Sequence, residues 1–295
     1  MDNNSYKHFK IGGVVQVRRI NKRMPFNVKG AVLVLVGALL MLLLIGAGCS
    51  RARVTEDFYQ SYRVKAGTVL EIYNPNGQVL VTGLDDPEQE EIEIAAVKES
   101  YYGQSALDAV DIFIDIDDTM VIETVHPPGG TNVTVNYNIL VPEGMLVSVI
   151  ECSNGNIELR GVRGDPVIAT SNGNITVSNV RGQVSASSSN GDLLISGAEG
   201  LGALRTSNGN IEAELQDIRE NIEIRTSNGS ISLLVNSDLA LDFEAATSNG
   251  EISFSNLNIQ TTLLEQTALI GIMNGGGRKV SLATSNGSID LTRLQ

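Results

Sequence analysis

The protein has 295 residues, with 34 acidic and 21 basic side chains and a formal net charge of −13. It contains 30 glycines, 7 Tyr, 6 Phe and no Trp, a composition typical of many short strands and tight turns rather than of a bulky core. Two cysteines and two histidines exclude a disulfide framework and a Cys/His-rich zinc site, and the acidic balance excludes a nucleic-acid partner for the chain as a whole.

The first 49 residues have the composition of a membrane anchor. Residues 1–29 carry seven Lys/Arg and one acidic residue, Asp2, and an uncharged apolar run follows from Gly30 to Gly48. A helix over this run is about 28 Å long, close to the hydrocarbon thickness of a bilayer. Because basic flanks stay inside, the sequence predicts a cytoplasmic segment (1–29), a transmembrane or signal helix (30–49) and a domain outside the cell membrane (50–295).

Cys49 leaves two forms of anchoring open. The small residues Gly46, Ala47 and Gly48 before it resemble a lipoprotein signal, in which cleavage exposes the cysteine for lipidation. Such signals usually carry an aliphatic residue where Gly46 stands. The alternative is an uncleaved signal-anchor helix with an incidental cysteine.

Residues 54–150 read as a series of irregular strands. Segments with β-branched or alternating apolar residues are 69–73, 78–81, 92–95, 112–114, 120–122 and 133–137. Asn76-Gly77 resembles the turns of the later repeat. We expect this part to cap the first coil of a repeat that occupies residues 150–295, with no linker between the two.

Four carboxylates, Asp111, Asp115, Asp117 and Asp118, lie close together in this part of the chain. They form either an oxygen-ligand site for a cation such as Ca²⁺ or the solvated face and end of a strand. His126 stands beside Pro127-Pro128 in a predicted loop, which favours a solvated histidine.

The dominant feature is a repeat of Ser-Asn-Gly. Its asparagines recur at steps of 18 to 21 residues and finally of 37, close to two units, and they are Asn154, Asn172, Asn190, Asn208, Asn228, Asn249 and Asn286. Apolar or small residues stand three and five places after each asparagine and four and two places before it. Alternation on both sides of a turn predicts two half-buried strands per unit.

Two architectures fit this pattern. In a β-solenoid each unit is one coil and equivalent strands stack in parallel, whereas in a meander each Ser-Asn-Gly is a hairpin turn. The near-identity of residues in each column favours the solenoid, with residues 256–280 covering an end before the final coil. The column two places before the asparagine holds Thr, Ser and Cys152. This position predicts a small buried thiol, with a reactive cysteine as the alternative.

Three features together are similar to those of the toast-rack, or "putative adhesin", family of bacterial and archaeal cell-envelope proteins. They are an early strand–Asn-Gly–strand, the junction Tyr137–Gly144 and the repeated Thr-Ser-Asn-Gly-x-Ile. The similarity covers about residues 58–295. The resemblance implies a right-handed β-solenoid ectodomain that is usually tethered to a membrane. It implies no catalytic or binding residues, because none are defined for the family.

The sequence contains no His-Glu-x-x-His motif, no phosphate-binding glycine loop ending in Lys-Ser/Thr and no Gly-x-Ser-x-Gly motif. Arg205 and Arg225 fall in one outward column and in neighbouring units, so they predict a basic spot on a possible binding face. We therefore expect an all-β, non-enzymatic protein without cofactor or metal that acts in surface binding or adhesion toward a glycan or an envelope protein. An envelope-stress or ligand-sensing ectodomain is the alternative, and a carbohydrate-active β-helix enzyme ranks third.

Overall fold

A computed structural model describes residues 52–295 and the backbone of two short strands nearer the N-terminus. The chain divides into two compact units, Met1–Cys49 and Ser50–Gln295. Apart from these two short strands, the predicted cytoplasmic segment (1–29) lies outside the described residues, as do the predicted anchor helix (30–49) and Cys49. Within the described part of the chain, no helix has the length and apolarity needed to cross a bilayer.

Strands make up most of the described structure. The first unit contributes an antiparallel pair, β1 (Lys10–Ile11) and β2 (Val14–Val15). The elements that precede the predicted repeat are β3 (Val54–Arg63), β4 (Val69–Asn76), β5 (Val79–Gly83), β6 (Glu91–Ser100), α1 (Gln104–Leu107), β7 (Asp111–Ile116), β8 (Thr119–Val125) and β9 (Val133–Val141).

The elements of the repeat follow in pairs. They are β10 (Leu146–Asn154), β11 (Ile157–Arg160), β12 (Val167–Asn172), β13 (Ile175–Ser178), β14 (Gln183–Asn190), β15 (Leu193–Ser196), β16 (Gly200–Asn208), β17 (Ile211–Leu215), β18 (Ile222–Arg225), β19 (Ile231–Val235), β20 (Leu241–Asn249), β21 (Ile252–Ser255), β22 (Ile259–Glu265), β23 (Ala268–Met273), β24 (Arg278–Asn286) and β25 (Ile289–Arg293). The prediction of an all-β protein is confirmed, since α1 is the single α-helix among the described residues.

The second unit is built on two large sheets whose repeat strands run parallel. One sheet has 12 strands in the order β22-β23-β20-β24-β18-β16-β14-β12-β10-β4-β8-β7, and the other has 11 in the order β21-β25-β19-β17-β15-β13-β11-β5-β9-β6-β3. Equivalent residues of successive units pair directly, as Ile150 does with Ile168 and Ile157 with Ile175. A meander would require antiparallel neighbours in the repeat, whereas stacked coils require the observed register.

The last coil of the sequence is not the last coil in space. Strands β24 and β25 lie between β18 and β20 in one sheet and between β19 and β21 in the other. The Asn286 coil is thus inserted between the Asn228 and Asn249 coils. The chain passes over this position, forms the Asn249 coil and the antiparallel hairpin β22–β23, and then returns to fill the space.

This topology explains the 37-residue step and changes one expectation. Residues 256–280 do cover the end of a sheet, because β23 pairs with β20 and β22 lies outside β23. The sequence order suggested that a further coil would lie beyond these residues. In the 12-stranded sheet no coil lies beyond them, because β22 is the edge strand.

The other end also differs from the prediction. Strands β4 and β5 form a regular coil whose Asn76 pairs with Asn154, so residues 69–83 belong to the stack rather than to an irregular cap. Beyond this coil the end is covered by the β7–β8 hairpin in one sheet and by β9, β6 and β3 in the other.

The core lies between the two sheets and is filled by the inward columns of each coil. The residues four places before and three places after each repeat asparagine are all buried, and those five places after are buried except for the partly exposed Phe254. Removing a Leu or Ile side chain from water stabilises the fold by about 1.5–3 kcal/mol. Because each coil buries equivalent inward residues, each coil adds a similar contribution to the free energy of unfolding of the stack.

The Ser-Asn-Gly corner is held by two features. In six of the seven repeat coils, the buried hydroxyl two places before the asparagine donates to the glycine carbonyl of the neighbouring coil, at 2.8–3.2 Å for Thr170, Ser188, Thr206, Thr226, Thr247 and Thr284. The glycines stack so closely that a Cβ on Gly209 would stand 2.1 Å from the carbonyl oxygen of Gly191. A tight turn by itself favours glycine, but the lack of space for any side chain is the stronger requirement here.

Candidate functional site

The outward face of the 12-stranded sheet carries the two predicted binding residues. Arg205 on β16 and Arg225 on β18 are direct partners in the parallel register, so the structure brings them together. Both side chains are exposed, at 56% and 60% of their accessible area. They alternate with inward residues such as Leu204 and Ile224, and this alternation fixes the direction in which they point.

A carboxylate that the sequence prediction did not include lies between the two arginines. Arg205 Nη2 donates to Glu223 Oε2 at 2.5 Å, and Arg225 Nε lies 3.4 Å from Glu223 Oε1. The hydrogen bond from Arg205, followed by the charges of both arginines, lowers the pKa of the Glu223 carboxyl. The predicted basic spot is therefore a triad of two cations around one anion.

The triad lines a shallow groove of about 670 Å³, here called the charged groove, with Glu220, Glu244 and Lys279 also at its sides. Lys279 forms an ion pair with Glu244. The small residues Ala203, Ala246, Ser281 and Ala283 also line the groove. Three cations and three carboxylates balance, so the groove offers hydrogen-bond donors and acceptors side by side without a large net charge.

A second groove of about 380 Å³, the tyrosine groove, lies on the same sheet around Tyr73 and includes Glu123 and Glu151. The Tyr73 hydroxyl donates to Glu71 Oε2 at 3.0 Å, and burial together with this hydrogen bond raises the pKa of Tyr73. Sequence reasoning missed this groove, although Tyr73 stands three places before Asn76, in the same outward column as Arg205. The signal was present once Asn76-Gly77 is counted as a unit of the repeat.

A third groove of about 690 Å³ follows the second turn of the coils. Arg163 and Arg181 both donate to Glu143 Oε1, at 2.5 and 2.8 Å, and these two hydrogen bonds lower the pKa of Glu143. Arg219 bridges Asp165 and Glu199 nearby, at 3.2 and 3.5 Å. Every arginine of this groove is thus occupied by a carboxylate of the protein.

The predicted turn asparagines form one continuous row of side-chain hydrogen bonds, here called the asparagine ladder. Each amide Nδ2 donates to the Oδ1 of the next asparagine at 2.8–2.9 Å, in the spatial order Asn249, Asn286, Asn228, Asn208, Asn190, Asn172, Asn154 and Asn76. The ladder contains all seven predicted positions and adds Asn76. All seven bonds point in the same direction along the stack.

Of the remaining candidates, Cys152 lines the tyrosine groove but is shielded, and His126 lies apart from the three grooves. Cys152 is 6% exposed and its Sγ donates to the carbonyl of Gly77 at 3.3 Å. Burial raises the pKa of the Cys152 thiol to about 11, so the reactive thiolate is scarce at neutral pH. His126 Nδ1 is 2.8 Å from Thr131 Oγ1, and burial lowers the pKa of His126.

The four aspartates line one exposed strand and its turn. Asp111 and Asp115 are exposed positions of the edge strand β7, and Asp117 and Asp118 lie in the turn that follows it. No group of three or more potential metal ligands occurs in the described part of the chain.

Comparison with known proteins gives a family match. The profile described as Toastrack DUF4097 matches residues 144–292. No curated protein sequence matches the chain.

Solved structures that this chain matches include a "putative cell adhesion protein" from Clostridium sporogenes (10% identity, 81% of this chain and 100% of that one, TM-score 0.37). Others are a "putative adhesin" from Bacteroides fragilis (11% identity, 81% and 97%, TM-score 0.38) and one from Parabacteroides merdae (12% identity, 80% and 96%, TM-score 0.29).

Proposed function

We propose that this chain, which belongs to the Toastrack family, is a binding module of the cell surface whose charged groove holds a hydroxyl-rich glycan. The observation that carries the proposal is the arrangement of Arg205, Glu223 and Arg225. Guanidinium donors and carboxylate oxygens alternate within one groove, and sugar hydroxyls both donate and accept hydrogen bonds. A strongly acidic glycan suits the groove less well, because Glu223 and Glu244 oppose its charge.

The shape of the site supports binding rather than enclosure of a small molecule. The charged groove is shallow and lies on a regular sheet, and small residues such as Ala246 and Ala283 leave its surface accessible. Arg225 contacts Glu223 through Nε at 3.4 Å and its side chain is 60% exposed, so we expect its terminal nitrogens to be available to a ligand. Because an arginine fork makes paired hydrogen bonds in one plane, Arg225 is the residue we expect to contribute most to ligand binding.

The placement of the module is part of the proposal. The basic segment 1–29 and the apolar run that follows it are the features expected of a membrane anchor, with the coils outside the cell as a right-handed β-solenoid. An ectodomain that binds glycan without cleaving it requires no catalytic acid or base in the groove. We therefore expect purified protein to leave a bound polysaccharide intact.

A glycan array with the fragment 50–295 tests the proposal. Arg225→Ala should reduce retention of the best-bound glycans by about tenfold, since a charged hydrogen-bond donor contributes about 1.5–3 kcal/mol. Arg160→Ala is the matched control, because Arg160 is 57% exposed, also pairs with a carboxylate and lies on the other sheet.

Two results would refute this assignment. If Arg225→Ala and Arg160→Ala bind alike, the charged groove is not the binding site. If the bound polysaccharide is shortened during incubation, the protein is an enzyme.

A further inference from the structure

The asparagine ladder contains eight Asn-Gly pairs, and one of them differs from the rest. In seven pairs the glycine N–H donates to the backbone carbonyl of the asparagine that precedes its own in the ladder order, at 2.8–2.9 Å. Gly155 donates to Asn172 in this way, and Gly287 donates to Asn249. Gly250 N has no acceptor among the described residues. It belongs to the coil at which the ladder begins, and the hairpin β22–β23, which carries no ladder asparagine, lies beyond this coil in the 12-stranded sheet.

The side chain of Asn249 is also unlike the others. Each of the other ladder asparagines accepts a hydrogen bond at Oδ1 from its neighbour, whereas Asn249 Oδ1 accepts none within the described structure. Its Nδ2 donates to Asn286 Oδ1 at 2.9 Å and to the Ser285 carbonyl at 3.4 Å. Asn249 is exposed and Gly250 is half-buried.

We propose that Asn249-Gly250 is a site of spontaneous deamidation and that the ladder protects the other seven pairs. In this reaction the Gly250 nitrogen loses its proton to water and attacks Cγ of Asn249. The new N–C bond closes a succinimide ring, the Cγ–Nδ2 bond breaks, and the amide nitrogen leaves as ammonia with a proton from water. Addition of water to one of the two ring carbonyls then yields aspartate or isoaspartate.

The protection follows from the atoms that the reaction needs. The attacking nitrogen and the attacked side-chain group must leave their hydrogen bonds and rotate toward each other. In an interior coil the glycine N–H is bonded to one neighbouring coil and the asparagine side chain to both, as Gly173 and Asn172 show, so a larger local opening is required. A reaction that proceeds only from the opened state has a rate proportional to the population of that state. Strand β21, which follows Gly250, is a four-residue edge strand, and we expect such a strand to open at a lower free-energy cost than the interior coils.

The product would alter the end of the stack. A carboxylate at position 249 cannot donate to Asn286 Oδ1 or to the Ser285 carbonyl, and it places negative charge beside two acceptor oxygens. Deamidation would therefore loosen the outermost coil, whose strand β20 also supplies Glu244 and Ala246 to the charged groove. Glycan binding in that groove is tested separately by the Arg225 variant.

The test is a time course of the full-length protein in mildly alkaline buffer, with each Asn-Gly peptide followed by mass spectrometry for the gain of about 1 Da. We expect the Asn249 peptide to convert at least about tenfold faster than the Asn172 peptide in the native protein. In urea, where every Gly N–H is free, the two rates should agree within about twofold.

Equal rates in the native protein would overturn the proposal, because the ladder would then give no selective protection. A faster reaction at Asn249 that persists unchanged in urea would also overturn it, because the local sequence rather than the structure would be the cause.

Discussion

The inserted last coil can be tested with two matched substitutions. Ile289 and Ile252 stand three places after their asparagines and occupy the same inward column. Ile289 is paired on one side with Ile231 and on the other with Ile252, whereas Ile252 has a strand neighbour on one side. Ile289 is fully buried and Ile252 is 8% exposed. In the sequence, Ile289 belongs to the terminal repeat, but in space Ile252 does.

The structure sets the ranking of the two effects. A buried isoleucine replaced by alanine costs about 2–5 kcal/mol, and the cost rises where the surroundings cannot collapse onto the cavity. We expect about 4 kcal/mol for Ile289→Ala, which has fixed strands on both sides, and about 2 kcal/mol for Ile252→Ala at the edge. For a unit of this size the difference corresponds to a melting temperature lower by about 4–8 °C in the Ile289→Ala variant.

Urea unfolding of the two variants followed by circular dichroism measures this difference. Hydrogen exchange adds a second readout, since Ile289→Ala should speed exchange throughout β20 and β21, whereas Ile252→Ala should leave β24 protected. If Ile252→Ala is the more destabilising change, or if Ile289→Ala affects only its own coil, the inserted arrangement is wrong.

Three further outcomes are expected. Gly209→Ala should destabilise the fold by about 3 kcal/mol or more in urea titrations, because the new Cβ would overlap the Gly191 carbonyl oxygen; a loss below about 1 kcal/mol would contradict the close stacking. Cys152 should resist alkylation by iodoacetamide at neutral pH in the native protein and react in urea, since its raised pKa leaves little thiolate; rapid native labelling would contradict its burial. Arg205→Ala should return the pKa of Glu223 toward 4.5 in a carboxyl NMR titration. Because the folded pKa is lowered, this pair stabilises the fold above pH 4.5 and loses its effect as the pH falls through the lower folded value; an unchanged pKa in the variant would remove Arg205 as the cause.

The repeat pattern predicted the coil in detail but did not predict the order of the coils. The inward columns follow from alternation, and the residues of each column are nearly the same in every unit. For this reason Leu282 fits equally well beside Ile224 or Ala245, and nothing in the pattern shows that it lies between them. The insertion depends on which coil the hairpin β22–β23 covers, and that is a matter of tertiary packing.

The sequence pattern predicted only part of the candidate site, because contacts between different columns also depend on tertiary packing. The column three places before the asparagine brought Arg205 and Arg225 together correctly. Glu223 stands two places before Arg225 in the next outward column, and only the lateral reach of an arginine side chain joins the two columns. Tyr73 escaped notice because its coil lacks the Ser-Asn-Gly sequence, although Asn76 completes the ladder.

The position of β24 and β25 has a consequence for how the molecule is made. A chain synthesised from its N-terminus could add each coil to the preceding one as far as Asn228, but the Asn249 coil has no neighbour to join until residues 278–293 have emerged. The hairpin and this coil must wait, with apolar surface uncovered, for the last segment to arrive between them. Closure is therefore a late, non-local event, and such steps are slow and prone to intermolecular association.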